Sequence, residues 1–294
     1  MLRVLRFFLA SCLILSLSCT QINEVPKQLY KTKKIADIEF AKAGEKSLKL
    51  DLYLPENASE KVPLIVWIHG GGWRGGSKKN TEGLWLVKHG FAIASISYRL
   101  SHEAKWPAQI DDCRAAVRYL RSNADKYGFD GNKIAVWGES AGGLLAGYLG
   151  TKSVPKGENV SSEVQAVINW YGPSDLMTLP ENIVSEKRTD KMVANSNASR
   201  LFGKDIRDAV DLANSISPLW NVSKNNPPFL IMQGDQDPYV VPDQSVRLHK
   251  KQKEVGAPSE LYMIKGAGHG GKLFHTEEAN SVILTFLNKV LVDN

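Results

Sequence analysis

The stretch Ala135-Val136-Trp137-Gly138-Glu139-Ser140-Ala141-Gly142-Gly143-Leu144 decides the fold of this 294-residue chain. An apolar run ends in Gly-Glu-Ser-Ala-Gly, and small and apolar residues at helical spacing follow at once. This order predicts a strand, a sharp turn with Ser140 at its apex, and a helix. Gly138 and Gly142 suit a turn in which larger side chains would meet neighbouring backbone. Unpaired N–H groups at the start of the helix would favour a negative charge developing beside Ser140.

Apolar strand-like runs alternate with amphipathic segments on both sides of this turn. The runs typical of strands covered on both faces are residues 63–68, 91–98, 133–137, 164–170, 229–232 and 261–264. Helical spacing follows Pro107 and recurs in residues 242–255 and 277–290. Alternation within residues 35–55 predicts an antiparallel hairpin at the sheet edge. This rhythm predicts one α/β domain over residues 35–294, with a mostly parallel sheet and helices on both faces.

Residues 176–214 interrupt the rhythm. They are polar and irregular, and we expect at most one or two short helices there. An insertion of this length between core strands is usually a lid or a binding segment. The alternative is a surface excursion without a role.

The N-terminus has the pattern of a bacterial export signal. Arg3 and Arg6 precede an apolar segment that ends at Cys19, and this segment is too short for a comfortable membrane span. We expect a signal peptide over 1–18, acylation of Cys19, and a polar tether over 19–34. The protein would then be a lipoprotein of the bacterial cell envelope, in the periplasm or outer membrane. Cleavage before Cys12 and simple secretion without lipid are the alternatives.

The charge distribution and the cysteine content argue against two classes of function, nucleic-acid binding and catalysis by a cysteine nucleophile. Without Arg3 and Arg6, 35 Lys and Arg residues face 31 Asp and Glu residues, and the small excess is scattered. This pattern is typical of a solvated surface and predicts no nucleic-acid partner. Cys113 falls on the apolar face of a helix, which favours a buried structural thiol over a nucleophile. We expect the membrane to be contacted only through the lipid anchor.

A serine nucleophile needs a base within hydrogen-bond reach. Of the six histidines, His269 follows a buried strand and lies in Gly266-Ala267-Gly268-His269-Gly270-Gly271, where the glycines leave its ring free to project. His269 is the favoured base, and His275 and His102 are the alternatives.

The base in turn needs an acid that fixes its tautomer. Asp237 follows the strand at 229–232 and precedes Pro238, which favours it over Asp235 and Asp175. The chain order Ser140, Asp237, His269 is the order found in α/β-hydrolases.

A glycine loop supplies candidate donors for an oxyanion. His69-Gly70-Gly71-Gly72-Trp73 follows the strand at 63–68 directly. The N–H groups of Gly71, Gly72 and Ala141 would point at the developing charge. The alternative is a merely flexible loop, which its place between a buried strand and an aromatic residue argues against.

Several motifs in fixed order carry a family resemblance. They are Leu50-Asp51-Leu52-Tyr53-Leu54-Pro55, His69-Gly70-Gly71-Gly72-Trp73, Ser97-Tyr98-Arg99-Leu100, Trp106-Pro107-Ala108-Gln109-Ile110-Asp111-Asp112, the Ser140 turn and Gln233-Gly234-Asp235-Gln236-Asp237. Over about residues 35–290 the chain resembles α/β-hydrolase esterases with a His-Gly-Gly-Gly motif. It is similar to hormone-sensitive-lipase-like esterases, and more so to the bacterial feruloyl-esterase-like (BD-FAE) subgroup. It departs from many relatives at Gln233, where they have histidine, and at Glu139, where hormone-sensitive-lipase relatives often have aspartate.

The resemblance implies an α/β-hydrolase fold with a mostly parallel eight-stranded sheet and a small lid. It also implies a serine carboxylesterase that works through an acyl-enzyme, with no metal and no cofactor. Short acyl, acetyl or hydroxycinnamoyl esters are the expected substrates, as small molecules or on plant polysaccharide. Trp73, Tyr98, Trp106 and Tyr239 are candidate pocket residues, and simple packing of these aromatic rings is the alternative. An arylformamidase or amidase on the same triad, or a non-catalytic binding protein, are the alternatives, and the oligomeric state stays open.

Overall fold

A computed structural model describes residues 29–293, which contain one eight-stranded sheet. The strands are β1 (Thr32–Ala43), β2 (Lys46–Pro55), β3 (Val62–Ile68), β4 (Ala92–Ile96), β5 (Phe129–Glu139), β6 (Ala166–Trp170), β7 (Phe229–Gly234) and β8 (Ser259–Ile264). Their order across the sheet is β1-β2-β4-β3-β5-β6-β7-β8. The β1–β2 and β2–β4 pairs are antiparallel and all other pairs are parallel, so the predicted mostly parallel sheet with an antiparallel edge is confirmed.

Helices cover both faces of the sheet. They are α1 (Ala108–Ser122), α2 (Ala124–Tyr127), α3 (Ala141–Thr151), α4 (Asp190–Ala194), α5 (Asn197–Phe202), α6 (Val210–Ile216), α7 (Asp243–Glu254) and α8 (Glu277–Leu287). Short 3₁₀ helices occupy Leu84–His89, Leu176–Thr178, Pro180–Asn182, Ile206–Asp208, Pro218–Asn221 and Lys272–His275, and a π-helical turn occupies Asn288–Val292. The helices of the described residues are all too short or too polar to cross a membrane.

Two apolar cores result from the two-residue period of the strands. In β3, Leu64, Val66 and Ile68 pack with α1, α3 and α7 on one face, whereas Ile65 and Trp67 pack with α8 on the other. Strands buried on both faces therefore carry the continuous apolar runs seen in the sequence. Cys113 of α1 is a free, buried thiol in the first core, as predicted.

The N-terminal boundary differs from the expectation. Because β1 begins at Thr32, the last three residues of the predicted tether belong to the sheet. Tyr30 already donates a backbone hydrogen bond to the carbonyl of Lys88. The predicted signal peptide over 1–18 and acylation of Cys19 lie outside the described residues.

The insertion, called the lid from here on (residues 176–214), contains more helix than expected. It holds α4, α5, the start of α6 and three 3₁₀ helices. Polar side chains cap these short helices: Thr189 accepts from the N–H of Met192, and Ser196 accepts from the N–H of Ser199. Such capping stabilises helices too short to show an apolar period. Buried Leu176, Leu179, Val193, Ala198, Leu201 and Ile206 join the lid to the first core.

Candidate active site

Ser140 lies at the apex of the turn between β5 and α3. Its backbone has φ 50° and ψ −119°, a conformation that L-residues rarely adopt and that is strained. A Cβ on Gly138 would lie 2.1 Å from the carbonyl oxygen of Gly142, and a Cβ on Gly142 would lie 2.1 Å from that of Ile68. The turn therefore requires glycine at both positions, as the sequence indicated.

The side chains of Ser140, His269 and Asp237 form one hydrogen-bonded chain. His269 Nε2 lies 2.8 Å from Ser140 Oγ, and His269 Nδ1 lies 2.7 Å from Asp237 Oδ2. An ionised carboxylate only accepts hydrogen bonds, so Nδ1 carries a proton and Nε2 presents a lone pair to the serine hydroxyl. The arrangement is that of a nucleophile, a base and an orienting acid.

Asp237 is held by more than the histidine. Its Oδ1 accepts hydrogen bonds from the N–H groups of Tyr239 and Val240, and its Oδ2 also accepts from Gln233 Nε2 at 3.1 Å. Gln233 is fully buried at the end of β7, and the hydroxyl of Ser245 donates to its Oε1. Sequence reasoning noted Gln233 only as a departure from relatives. The available sequence signal was a glutamine within a buried strand, because a buried amide needs a hydrogen-bonding partner.

The glycine loop presents unpaired donors beside Ser140. Gly71 and Gly72 have φ 98° and 59°, in the region that favours glycine. The backbone N–H groups of Gly71, Gly72 and Ala141 donate to no group within residues 29–293. Gly72, Ala141 and Ser140 all line one cavity. The N–H groups of Gly72 and Ala141 are therefore available to a ligand oxygen in this cavity, whereas Gly71 precedes the residues that line it.

Buried polar contacts fix the loop from behind. The Tyr98 hydroxyl donates to the carbonyl of His69 at 3.0 Å, and the two rings stack with centroids 4.3 Å apart. Burial lowers the pKa of His69 to about 4, so its ring is neutral near pH 7. Arg99, next in the chain, forms an ion pair with Asp112 of α1. These contacts give the Tyr98 motif a structural role.

Two of the four aromatic residues expected in the pocket lie elsewhere. Trp73 and Tyr239 line the cavity, whereas Tyr98 and Trp106 do not. Tyr98 is buried against His69, and Trp106 packs edge-on against Tyr148 of α3 with ring centroids 5.3 Å apart. The expectation for Tyr98 and Trp106 was wrong, since the Tyr98 ring is buried in the first core and the half-buried Trp106 ring packs against that core.

The alternative bases and acids do not approach the serine. His102 is exposed, and His275 Nδ1 lies 3.7 Å from a carboxylate oxygen of Glu82. Asp235 accepts a hydrogen bond from the N–H of Gly266, and Asp175 forms an ion pair with Arg247. None of these four residues forms a hydrogen bond with Ser140 or His269.

Tyr171 packs against the ring of His269 and is itself held by Glu139. Neither role was predicted from the sequence. The Tyr171 ring packs edge-on against His269 with centroids 4.7 Å apart, and its hydroxyl donates to Glu139 Oε2 at 2.8 Å. Burial, with the Glu139 charge, raises the pKa of Tyr171 well above the usual range, so it stays a donor. Glu139 also accepts from the N–H of Gly70 at 3.3 Å, which links the serine turn to the glycine loop.

A cavity of about 450 Å³ opens onto Ser140 and His269. Its walls come from the glycine loop, the segment 238–240 and the lid. A larger groove of about 630 Å³ between β1, α1 and residues 156–160 holds none of these residues. The smaller cavity is the candidate substrate site because it contains the serine, the base and the unpaired donors.

Comparisons with known proteins agree with this geometry. The BD-FAE family model matches residues 50–252. The esterases LipC and LipQ of Mycobacterium tuberculosis are 30% and 28% identical over 82% and 84% of this chain, which spans 62% and 59% of their lengths. A truncated carbohydrate esterase from gut microbiota superposes with a TM-score of 0.80 at 30% identity, covering 91% of this chain and 99% of that one.

A bifunctional GH43-CE protein of Bacteroides eggerthii superposes with a TM-score of 0.77 at 29% identity. The match covers 88% of this chain and 35% of that protein. The family model, which spans well over half of the chain, and these relatives place the sequence in one group. The chain belongs to the BD-FAE family of α/β-hydrolases.

Proposed function

We propose that this protein is a serine hydrolase of carboxylic esters. The observation that carries the proposal is the hydrogen-bonded chain from Ser140 through His269 to Asp237, which ends in a cavity beside unpaired backbone donors. The relatives named as esterases support the same reaction class.

Acyl transfer follows from the positions of these groups. Ser140 Oγ attacks the ester carbonyl while His269 Nε2 takes its proton, and Asp237 stabilises the imidazolium. The N–H groups of Gly71, Gly72 and Ala141 bind the tetrahedral oxyanion, each stabilising the transition state by about 3 kcal/mol. His269 then protonates the departing alkoxide, which leaves an acyl group on Ser140. A water molecule, deprotonated by His269, hydrolyses that acyl-enzyme.

The proposed substrates are short acyl, acetyl or hydroxycinnamoyl esters carried on plant polysaccharide or its fragments. The similarity to a carbohydrate esterase from gut microbiota supports this choice. We further propose that the enzyme acts outside the cytoplasm, attached to the cell envelope through Cys19. The export-signal pattern of the N-terminus supports this location.

Replacing the nucleophile tests the reaction class. Ser140→Ala is expected to lower kcat on p-nitrophenyl acetate by about 10⁴-fold or more, since the base then has no hydroxyl to activate. Ser153→Ala, an exposed serine just beyond α3, is the matched control and should keep full activity. Retention of more than a tenth of the rate by Ser140→Ala would refute the proposal. A higher rate on the matched acetanilide than on the ester would favour the amidase alternative.

A further inference from the structure

The lid supplies a polar wall to the cavity that acyl transfer itself does not use. Glu181, Ser185, Lys187, Arg188 and Asn197 of the lid line the cavity together with Ser140 and His269. A pocket for a plain aliphatic ester would need none of these polar groups. Their presence beside the nucleophile points to a substrate that bears polar groups of its own.

The central pair of this wall is Glu181 and Asn197. Asn197 Nδ2 donates to Glu181 Oε2 at 2.9 Å. Glu181 is half-buried, and burial raises the pKa of its carboxyl group. The pair also lies against the glycine loop, because a Cβ on Gly72 would come within 2.9–3.0 Å of the Asn197 amide.

Cationic side chains lie near the acid. Lys187 and Arg188 line the same cavity, and the charges of Arg188 and Arg74 act on the Glu181 carboxylate. Arg188 Nε is buried and has no hydrogen-bond partner within residues 29–293. The wall therefore places one acceptor, the Glu181 carboxylate, beside the cationic side chains of Lys187 and Arg188.

We propose that Glu181, Asn197 and Arg188 form a subsite for a neutral, hydroxyl-bearing ring, as in a sugar that carries the ester. This proposal rests on the function proposed above and adds the residues that select the substrate. Glu181 is its specificity-determining residue.

A hydroxyl group is the partner that fits this wall. It has one donor and two acceptor positions, so one hydroxyl donates to the Glu181 carboxylate and accepts from Arg188 or Asn197. A cationic ligand would meet Lys187 and Arg188, and a carboxylate ligand would meet Glu181. An apolar ring would displace water from these polar groups without replacing its hydrogen bonds, which is costly for groups held away from water.

Tyr239 provides the apolar surface that a sugar ring also needs. Its side chain is 69% exposed, and its ring lies 5.6 Å from the His269 ring at the edge of the cavity. An exposed aromatic ring beside the catalytic base presents a flat face to the C–H groups of a sugar. The cavity thus combines a stacking surface with hydroxyl partners across about 450 Å³.

The test compares acetate esters that share the acyl group and differ in hydroxyls. The substrates are methyl β-xyloside with one acetyl ester, cyclohexyl acetate and acetylcholine. The readout is the ratio of kcat/KM for the xyloside ester to kcat/KM for cyclohexyl acetate, measured on the full chain. Wild type is expected to favour the xyloside ester by about 100-fold or more, as sites with hydroxyl partners do.

Glu181→Leu is expected to lower this ratio by about 30-fold, with most of the change in KM for the xyloside ester. Glu181→Gln, which keeps the shape and a hydrogen-bonding amide, should lower the ratio less. Glu186→Gln is the matched control, since Glu186 is an exposed lid residue away from the cavity, and its ratio should equal that of wild type. Labelling of Ser140 by a fluorophosphonate confirms that each variant is folded, and Glu181→Gln carries the test if Glu181→Leu does not label.

Three results would overturn the subsite: an unchanged ratio in the Glu181 variants, an equal fall in Glu186→Gln, or a wild-type preference for acetylcholine. Failure of the proposed function looks different. In that case Ser140→Ala would still hydrolyse these esters, whereas loss of activity in Ser140→Ala with an unchanged ratio would refute the subsite alone.

Discussion

His69 makes the stability of the fold sensitive to mild acid. The ring is only 1% exposed, its Nδ1 lies 2.8 Å from the carbonyl oxygen of Gly70, and burial lowers its pKa to about 4. In the unfolded chain the pKa returns to about 6.5. Between these two values the unfolded state binds a proton that the folded state does not, so stability is lost as the pH falls.

The size of the effect follows from the two pKa values. Relative to neutral pH, the His69 contribution to the free energy of unfolding falls by about 1.2 kcal/mol at about pH 5.5 and about 2.5 kcal/mol at about pH 4.5. Below about pH 4 the folded ring also binds the proton, and the loss reaches its limit. The loss is a considerable part of the stability of an ordinary domain.

Urea unfolding at several pH values measures this contribution in wild type and in His69→Gln. The carboxylates titrate in both proteins, so the difference between the two pH profiles isolates His69. We expect the profile of His69→Gln to be flatter by about 2.5 kcal/mol between neutral pH and about pH 4.5. Parallel profiles would refute the reasoning. A second check, independent of the variant, is the NMR titration of His69 in wild type, and a midpoint near 6.5 would refute it too.

Three further substitutions test the site. Asp237→Asn should lower kcat on p-nitrophenyl acetate by about 10⁴-fold, because the amide no longer holds His269 in the required tautomer. A decrease of less than tenfold in steady-state kinetics would contradict this role of Asp237. Gln233→Leu should lower the free energy of unfolding, measured in urea, by about 2–4 kcal/mol and should lower kcat by about tenfold. The substitution removes a hydrogen-bond donor to Asp237 and leaves the Ser245 hydroxyl unpaired. Unchanged stability would contradict this prediction. Gly142→Ala should prevent the protein from folding, because the added Cβ would clash with the Ile68 carbonyl. Gly75→Ala is the control and should fold, because the space around its Cβ is open. Equal midpoints of the two variants in thermal unfolding would argue against the steric reasoning.

The proposed catalytic residues could be located from sequence because each lies within a few residues of the end of its strand. Ser140 follows β5, Asp237 follows β7 and His269 follows β8. The carboxyl ends of neighbouring parallel strands share one sheet edge, so local patterns alone bring these residues together. The same reasoning places the glycine loop after β3 at that edge.

Structural features that leave no local pattern of residues could not be predicted from the sequence. The start of β1 is an exposed edge strand in which Thr32, Lys33 and Lys34 are all solvent-facing, so no apolar alternation marks it. The lid helices are short and depend on capping side chains more than on an apolar face. Strand and helix periodicity cannot reveal elements that bury so little on a regular face.

Contacts between distant residues were also beyond sequence patterns. Tyr171, which follows β6, contacts Glu139 at the end of β5, and Glu181 contacts Asn197 across the lid. The type of residue gave only a weak signal in each case. Tyr98 shows the converse error: an aromatic residue near the glycine loop resembled a pocket wall, but its hydroxyl binds the His69 carbonyl inside the core.

Two buried ion pairs hold segments close to the glycine loop. The Lys78–Asp51 ion pair anchors the segment after the glycine loop to β2, and the Arg99–Asp112 ion pair anchors the segment after β4 to α1. Buried ion pairs add little net stability, because desolvation offsets their attraction, but breaking one leaves an unpaired buried charge. Their value here lies in fixing geometry. Donors held in place before the reaction stabilise an oxyanion without reorganising, and this explains why polar groups are buried beside the glycine loop where apolar packing alone would have sufficed for folding.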